Sequence, residues 1–236
     1  MKKYIIDLRV VSLQHFNDKY VLLKLSSDEK LPAMLPGQFV EVRVDGSPNT
    51  FLRRPISINL VDYDRNELWL LVAAVGEGTR HLASLHEGDT LNCVLPLGNG
   101  FTMPKTPEDK WLLIGGGVGI APLLYFGQEI VRMGAKPTFL LGARSESDLL
   151  ELEQGFVTNH SVLQHERFDQ ISTCGPNPMM KAVARVATEL GVRCEASLEN
   201  MMACGVGACL CCVEKTTEGN LCVCKEGPVF DVKRLL

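Results

Sequence analysis

Six cysteines fall within one 24-residue stretch near the end of the chain, MMACGVGACLCCVEKTTEGNLCVC. Three of them, Cys204, Cys209 and Cys212, follow a C-x4-C-x2-C pattern, which is typical of the loop that wraps a plant-type [2Fe–2S] cluster. A fourth thiolate must come from farther along the chain, and the spacing leaves both Cys222 and Cys224 open for that role. The pattern therefore predicts a cluster whose fourth ligand is undecided.

Zinc and disulfides are the alternatives to iron for these cysteines. A zinc ribbon usually has two C-x2-C pairs, and this chain has only one, Cys209 with Cys212. The total of nine cysteines is odd, which argues against complete disulfide pairing, and a reducing cytosol keeps thiols free. The cysteines thus favour iron–sulfur binding over zinc, with disulfides less favoured still.

A second candidate site is the glycine-rich segment GGGVGIAP, which follows the buried run WLLI. Its glycines lie between a predicted strand and a predicted helix, where backbone N–H groups and the helix dipole can face a pyrophosphate. From Gly117 the pattern reads G-x-G-x-x-P, which is not the three-glycine dinucleotide fingerprint. Pro122 gives up an N–H that the start of a helix leaves unused. The alternative is a turn whose glycines only allow close packing.

Two features of the N-terminal half could bind further phosphate oxygens. Arg53 and Arg54 lead into the run PISINLV, and their guanidinium donors suit a phosphate, although an ordinary strand start would look the same. The turn GEGT opens onto a short helix predicted over residues 79–85, with Thr79 as its N-cap. The alternative there is a capped helix without a ligand.

The elements that position these residues change character along the chain. The first hundred residues hold six β-rich runs separated by Gly and Pro turn signals, which predicts a small antiparallel barrel. From Trp111 onward strands alternate with helices, one of them from about Ser147, which predicts a parallel sheet with crossover helices. The cysteine-rich end has little periodicity and suggests a small lobe. The expected domains are residues 1–104, 105–196 and 197–236.

Composition limits the partners. The formal net charge is −4 and the 24 Lys and Arg residues are scattered, so we expect no nucleic-acid partner. Asp7 and Arg9 interrupt the N-terminal apolar run before it reaches signal-peptide length, and the longest apolar run, residues 111–126, is too short to span a bilayer comfortably. We expect a cytoplasmic protein that does not enter a membrane.

The chain resembles the ferredoxin-reductase-like flavoproteins and, among them, the electron-transfer subunits of class 1B dihydroorotate dehydrogenases. The motifs that carry the resemblance are RPIS, Gly78-Thr79, LPLGNGF, GGGVGIAPL, Cys174-Gly175-Pro176, ACGVGACLCC and VCKEGPVF, in the family's order over nearly the whole chain. The resemblance implies a multidomain α and β protein: an antiparallel β-barrel FAD domain, an α/β parallel-sheet NAD domain and a small C-terminal [2Fe–2S] lobe.

The resemblance also implies the residues of each site. Those that would hold FAD are Arg54, Pro55, Ile56, Ser57, Leu71, Val72, Ala73, Gly78 and Thr79. Those that would hold NAD are Gly115, Gly116, Gly117, Gly119, Cys174, Gly175 and Pro176, with Cys174 beside the nicotinamide. The cluster ligands would be Cys204, Cys209, Cys212 and Cys224, because the family places its last cysteine shortly before Gly-Pro-Val-Phe. Cys211 and Cys222 would be bystanders, and no catalytic side chain is assigned.

The function that the resemblance implies is electron transfer. Electrons from the FMN of a catalytic dihydroorotate dehydrogenase subunit would pass through the [2Fe–2S] cluster and FAD to NAD+ during UMP biosynthesis, in a heterotetramer with two copies of each subunit. One alternative is the flavin and iron–sulfur subunit of a sulfide dehydrogenase or ferredoxin:NADP oxidoreductase assembly. Another is a non-catalytic redox or zinc-binding regulatory module.

The chain departs from the family pattern at one place. The family has a further strand and an acidic, glycine-containing loop where Gln154 here runs straight into Gly155. That segment normally contributes to the nucleotide-binding face. The choice between NAD and NADP is therefore left open.

Overall fold

The computed structural model describes residues 2–47, 49–142 and 157–235. The helix predicted from about Ser147 and the junction of Gln154 with Gly155 lie outside the described residues. Within the described ranges, none of the helices has both the length and the apolar character needed to cross a membrane.

The N-terminal part is a closed barrel of six antiparallel strands, which confirms the prediction. The strands are β1 (Tyr4–His15), β2 (Tyr20–Ser26), β3 (Phe39–Val42), β4 (Arg54–Asp62), β5 (Glu67–Ala73) and β6 (Thr90–Leu97). They pair in the order β1, β2, β5, β4, β3, β6, and β6 closes the barrel on β1. Alternate residues, such as Leu23 and Leu25 of β2, are fully buried inside, because successive side chains of a strand face opposite sides.

The barrel carries one short helix, α1 (Glu77–Ala83), which begins two residues before its predicted start. The prediction that Thr79 is the N-cap is wrong: Gly76 holds that position with an extended backbone (φ −118°, ψ 170°). Thr79 lies inside the first turn, where its hydroxyl accepts the Gly76 N–H at 2.9 Å. A glycine has no side chain with which to cap the helix, so the Thr79 hydroxyl provides the hydrogen-bond acceptor for the backbone N–H at the N-cap.

The second part is an α/β sheet that continues into the cysteine-rich end. From residue 111 onward the strands are β7 (Trp111–Gly116), β8 (Thr138–Gly142), β9 (Gln170–Cys174), β10 (Arg193–Ser197), β11 (Val213–Thr216), β12 (Gly219–Cys222) and β13 (Val229–Asp231). The helices are α2 (Ile120–Arg132), α3 (Val162–His165), α4 (Asn177–Glu189) and α5 (Val223–Glu226). The sheet order is β13, β10, β9, β7, β8, and all neighbours are parallel except β13 with β10. The parallel sheet confirms the α/β prediction.

Two strands of this sheet were missed by the sequence analysis. β10 carries charged residues, and its buried Glu195 accepts the Thr102 N–H at 3.1 Å, so tertiary contacts rather than an apolar run stabilise the strand. β13 comes from the cysteine-rich end and pairs with β10, for example Ala196 with Phe230. The predicted cysteine lobe, which also holds the β11–β12 hairpin, is therefore tied to the α/β sheet.

Specific contacts fix the three parts against one another. The Tyr125 hydroxyl of α2 donates to the Met34 carbonyl of the barrel part at 3.1 Å. Asn99, in the loop after β6, donates its side-chain amide to the Glu226 carbonyl at 2.8 Å. Phe39 and Leu97 of the barrel share one apolar cluster with side chains of the cysteine-rich end, namely Met202, Cys212, Val223, Cys224 and Phe230. The barrel thus contacts both other parts directly.

Candidate functional site

The first predicted ligand is enclosed by its own loop, residues 204–212, here called the cysteine loop. The Cys204 sulfur accepts the backbone N–H groups of Val206, Ala208 and Cys209, each at 3.4 Å. Gly205 and Gly207 have φ values of +64° and +82°, a conformation that glycine adopts without steric cost. The loop therefore presents amide donors to sulfur, as a cluster-binding loop requires.

Hydrogen bonds connect the cysteine loop to Cys224. The Gly207 N–H donates to the Cys224 sulfur at 3.1 Å, and the Cys224 N–H donates to the Cys212 sulfur at 3.4 Å. Cys212 and Cys224 are buried, whereas Cys209 is exposed at the outer side of the loop. The structure thus links Cys204, Cys209, Cys212 and Cys224 through one set of amide–sulfur contacts.

The two predicted bystanders lie differently. Cys211 is exposed to solvent. Cys222 is half-buried at the end of β12, and its N–H donates to a Glu226 carboxylate oxygen at 2.8 Å. Neither sulfur accepts a backbone N–H within the described part of the chain, in contrast to Cys204 and Cys224.

The pKa values of the cysteine thiols indicate whether these side chains are suited to bind an iron–sulfur cluster. Burial alone would raise the pKa of Cys204, but the N–H groups around its sulfur lower that pKa to about 6. Burial and the adjacent Cys212 thiol raise the pKa of Cys224 to about 12, because neighbouring thiolates would repel each other. Bound iron would reverse that repulsion and hold both sulfurs as thiolates. The donor set is therefore compatible with an iron–sulfur cluster.

The sulfurs do not meet at one point. Within the described residues, no group of three or more His, Cys, Asp or Glu side chains is placed to hold a single metal ion. A binuclear cluster shares its four thiolates between two irons, so its ligands stand farther apart than those of a zinc ion. The amide–sulfur contacts, rather than the spacing between sulfurs, are the feature that points to a cluster.

The predicted FAD residues Arg54 and Gly78 lie side by side, although 24 positions separate them in the sequence. A Cβ atom on Gly78 would stand 2.9 Å from Arg54 Nε and 2.9 Å from Thr50 Cγ2. The guanidinium of Arg54 thus packs on the first turn of α1, where the backbone N–H groups of residues 77–79 and the Arg54 donors can address one phosphate.

Arg53 and Arg54 have different roles, which the sequence could not separate without the resemblance. Arg53 donates to the Asn92 carbonyl at 2.8 Å and to the Asn92 side-chain oxygen at 2.5 Å, and also to the Glu41 carbonyl at 3.2 Å. Arg54 donates from one nitrogen to the carbonyls of Leu52 and Arg53. Arg53 is therefore committed to the barrel, and Arg54 keeps donors for a ligand.

The remaining predicted FAD residues follow the strand alternation. Pro55 and Ser57 are half-buried on the outside of β4, and Ile56 and Val72 point into the barrel core. Only the backbone of Ile56 and Val72 can reach a ligand outside the barrel. Leu71 points outward, like Ala73 two residues later, since i and i+2 share a face.

The outer face of β5 meets the glycine-rich segment. Leu71 packs with Leu22 of β2, with Ala121 of α2, and with the partly buried Val118 and Ile120. A Cβ atom on Gly117, whose φ is +56°, would lie 3.4 Å from the Tyr20 hydroxyl. Tyr20 was not identified from the sequence, and a single tyrosine at a strand start gives no distinctive signal.

The predicted NAD residues converge at the carboxyl edge of the sheet. Gly115 of β7 is in register with Cys174 of β9, so the loops after these parallel strands lie together. A Cβ atom on Gly116 would stand 2.7 Å from Met179 Sδ and 3.0 Å from Pro176 Cδ. In the sheet, β8 lies on one side of β7 and β9 on the other. This edge is therefore a topological switch point, where α/β sheets usually bind ligands.

Cys174 is fully buried, and its sulfur lies 4.0 Å from a Glu199 carboxylate oxygen. Burial and the Glu199 carboxylate raise the pKa of Cys174 well above its ordinary value. Glu199 is exposed at one side, and partial burial of its carboxyl group raises the pKa of Glu199. Cys174 is therefore a neutral lining residue, and Glu199 is a site neighbour that sequence analysis missed.

Glu41 of β3 is a second residue that sequence analysis missed. Its side chain is fully buried, and neither carboxyl oxygen has a hydrogen-bond partner in the part of the chain that the structure describes. Burial raises the pKa of Glu41 to about 7. The charge of Arg53 lowers this pKa, the Cys204 thiolate raises it, and the charge of Arg54 lowers it to a smaller extent. A lone acidic residue within the apolar run QFVEV was the available signal.

Comparison with known proteins shows which family the chain is similar to. Residues 199–236 match the family model described as the iron-sulfur cluster binding domain of dihydroorotate dehydrogenase B. A relative from Shouchella clausii, named dihydroorotate dehydrogenase B (NAD(+)), electron transfer subunit, is 37% identical over 221 residues, which cover 84% of this chain and 85% of the relative. The protein of the same name from Lysinibacillus sphaericus is 36% identical and covers 94% of this chain and 95% of its own length.

Solved structures agree in fold. An NADH-dependent reduced ferredoxin-NADP oxidoreductase superposes with a TM-score of 0.86 at 26% identity, covering 97% of this chain and 89% of that one. Phthalate dioxygenase reductase, at 19% identity, gives a TM-score of 0.65 over 90% of this chain and 87% of its own. These neighbours confirm the ferredoxin-reductase-like architecture, and at the identities given above the chain belongs to the family of dihydroorotate dehydrogenase B (NAD+) electron transfer subunits.

Proposed function

We propose that this chain is the electron-transfer subunit of an NAD-dependent dihydroorotate dehydrogenase. The observation that carries the proposal is the order of the candidate sites. Gly205 of the cysteine loop lies against Glu41 of β3, and Glu41 is in register with Pro55 of β4. On the far side, Leu71 of β5 packs against the segment that follows β7. The proposed flavin residues thus lie between the cysteines and the carboxyl edge.

The proposed site residues are those implied by the resemblance. FAD is held by Arg54, Pro55, Ile56, Ser57, Leu71, Val72, Ala73, Gly78 and Thr79. NAD is held by Gly115, Gly116, Gly117, Gly119, Cys174, Gly175 and Pro176. The cluster is held by Cys204, Cys209, Cys212 and Cys224. The hydrogen bond from the Gly207 N–H to the Cys224 sulfur supports Cys224 over Cys222 as the fourth ligand. The domain limits at residues 104 and 196 remain part of the proposal.

When bound, FAD would exchange electrons singly with the cluster and in pairs, as hydride, with NAD. Oxidation of one dihydroorotate to orotate releases two electrons and two protons. NAD+ takes up both electrons and one proton as hydride, and the other proton goes to solvent. This chain's own task is to hold the two cofactors and the nucleotide in sequence and to keep water from the carboxyl edge.

The partner that this function requires is a catalytic subunit with FMN, in a complex of two copies of each chain. The surface of the cysteine loop and of the residues just before it supports docking there, because Met201, Val206 and Leu210 are 83%, 42% and 63% exposed. Met202 is buried and packs with Cys212 and Cys224 instead. None of the nine cysteines, all of which lie in the described residues, forms a disulfide, which supports operation in the reducing cytoplasm.

The direct test of the function is reconstitution. The anaerobically purified chain is mixed with an FMN-containing dihydroorotate dehydrogenase subunit, and NADH formation on addition of dihydroorotate is followed. The proposal expects dihydroorotate-dependent NADH formation that neither protein gives alone. No gain over the separate proteins refutes the assignment.

A second candidate is the flavin subunit of a ferredoxin:NADP oxidoreductase assembly, favoured by the neighbour with a TM-score of 0.86. Its identity of 26% is lower than the 37% of the relative from Shouchella clausii, which supports the first candidate. Reduction of NADP+ by reduced ferredoxin with the purified chain would favour the second. A colourless protein with one zinc would point instead to a regulatory module.

A further inference from the structure

Glu41 occupies a position where an apolar side chain would cost less. Its carboxyl group is fully buried and has no hydrogen-bond partner among the described residues. Burial of a polar group without a hydrogen-bond partner is unfavourable. The neighbours in β3, Val40 and Val42, point to the opposite face and pack in the barrel core, so the barrel interior does not depend on Glu41.

One face of the Glu41 side chain supports the cysteine loop. A Cβ atom on Gly205 would stand 2.8 Å from Cγ and 3.3 Å from Oε1 of Glu41. Ordinary contacts between carbon atoms are about 3.5–4.0 Å, so the loop backbone rests on the carboxyl group with no space for another atom. Gly205 directly follows Cys204, and its position therefore determines where the Cys204 sulfur lies.

The other neighbours of Glu41 belong to the proposed flavin side. Glu41 is in register with Pro55 of β4, and its backbone carbonyl accepts a hydrogen bond from Arg53 at 3.2 Å. Arg54 is the next residue of the same segment and pairs with Val42. Glu41 therefore contacts both the cysteine loop, through its side chain, and the segment that contains Arg53 and Pro55, through its backbone.

We propose that Glu41 is a positioning residue that sets the place of Cys204, and with it the orientation of the cluster, relative to the flavin side of the barrel. The inference rests on the proposed function, since it requires that the cysteines hold a cluster. It predicts that changes at Glu41 alter the electronic signature of the cluster although all four proposed ligands and the proposed flavin residues remain in the chain.

The test compares Glu41→Ala with Glu41→Gln in the full chain. Electron paramagnetic resonance of the chemically reduced cluster gives the signature, and iron and flavin per chain are measured alongside. We expect Glu41→Ala to shift the g values and to lose much of the bound iron while FAD is retained. Glu41→Gln keeps the side-chain shape and should restore the unaltered spectrum. An unaltered spectrum and iron content in Glu41→Ala overturn the inference.

The matched control is Glu67→Ala, a change at another buried glutamate of the barrel, whose carboxylate bonds the Trp69 indole N–H at 2.8 Å. It should lower stability without a change in g values. If Glu41→Ala does not fold, Glu41→Asp shortens the side chain by one methylene group, withdraws the support from the cysteine loop and is expected to shift the g values in its place. An unaltered chain that binds no iron refutes the proposed function and the inference with it, whereas an iron-loaded chain whose spectrum does not respond to Glu41→Ala refutes the inference alone.

A double variant tests the contact itself. Gly205→Ala should lose iron, because its Cβ has no room beside Glu41 and Leu97 and a φ of +64° strains an alanine; only the contact with Glu41 can be relieved by a change at Glu41. Combined with Glu41→Ala, the same Cβ gains space, so the double variant should bind more iron than Gly205→Ala alone, which is the non-additivity expected of residues in contact. Independent losses at the two positions would contradict the proposed support of the loop by Glu41.

Discussion

Gly119 offers the sharpest perturbation of the carboxyl edge. Its backbone has φ −61° and ψ −9°, a conformation that alanine adopts readily, so Gly119→Ala adds no backbone strain. The new Cβ would stand 2.6 Å from the Cys174 carbonyl carbon and 2.7 Å from Gly175 Cα. Both atoms belong to the backbone, and normal contacts are about 3.5–4.0 Å. The two loops must therefore separate by about 1 Å.

That separation has two measurable consequences. Overpacking of this kind costs about 1–3 kcal/mol, and a chain of this size loses about 2–4 °C in Tm for each kcal/mol. A displacement of about 1 Å at a reacting site can slow a reaction by roughly 100-fold. We expect Gly119→Ala to reduce flavin with NADH about 100-fold more slowly in stopped-flow absorbance, with FAD and iron content unchanged.

The control is Gly191→Ala, beyond the end of α4. Gly191 has φ +69° and open space around its Cα, so this change costs backbone strain without a clash at the carboxyl edge. It should lower Tm slightly and leave the rate of flavin reduction unaltered. A Gly119→Ala protein that reduces flavin at the original rate would show that the loops after β7 and β9 do not bind the nicotinamide.

Two further predictions concern side chains whose environments differ sharply. Arg54→Met should weaken FAD binding, measured by ultrafiltration, with little change in the Tm of the flavin-free chain. Arg53→Met should lower that Tm markedly, because three barrel hydrogen bonds are lost. Equal effects of the two changes on Tm would contradict the division of roles. In the iron-free chain, iodoacetamide should modify Cys204 at a rate that rises through about pH 6, the pKa set by its amide donors, since the thiolate is the nucleophile. Cys93, whose pKa burial raises to about 12, should stay unmodified at neutral pH, and peptide mass spectrometry that finds Cys93 labelled first would refute this environment.

The sequence was sufficient for features that local physics determines. The six barrel strands follow from alternation and turn residues, and the glycine-rich segment lies between β7 and α2 because a buried run gives way to a helical pattern there. The start of α1 was misplaced, because a threonine inside the first turn and a threonine at the N-cap look alike in sequence. Gly76 could be recognised as the cap only from its extended backbone.

Features that depend on long-range packing could not be read from the sequence. β13 is three residues long and exists because β10 offers it a partner. The distinction between Arg53 and Arg54 depends on Asn92, 39 positions away from Arg53. Glu41 and Glu199 acquire their environments from the cysteine loop and from Cys174, so neither belongs to a motif with a fixed spacing.

The central claim is that one chain connects a nicotinamide site to a cysteine-bound cluster through the flavin side of the barrel. The most direct measurement is electron paramagnetic resonance of the isolated chain, frozen anaerobically after addition of NADH. The account predicts the signal of a reduced [2Fe–2S] cluster in the unaltered chain and a loss of that signal in Cys224→Ser, with Cys211→Ser unaffected. Bleaching of the flavin by NADH without any cluster signal, in a chain that contains two irons, would contradict it.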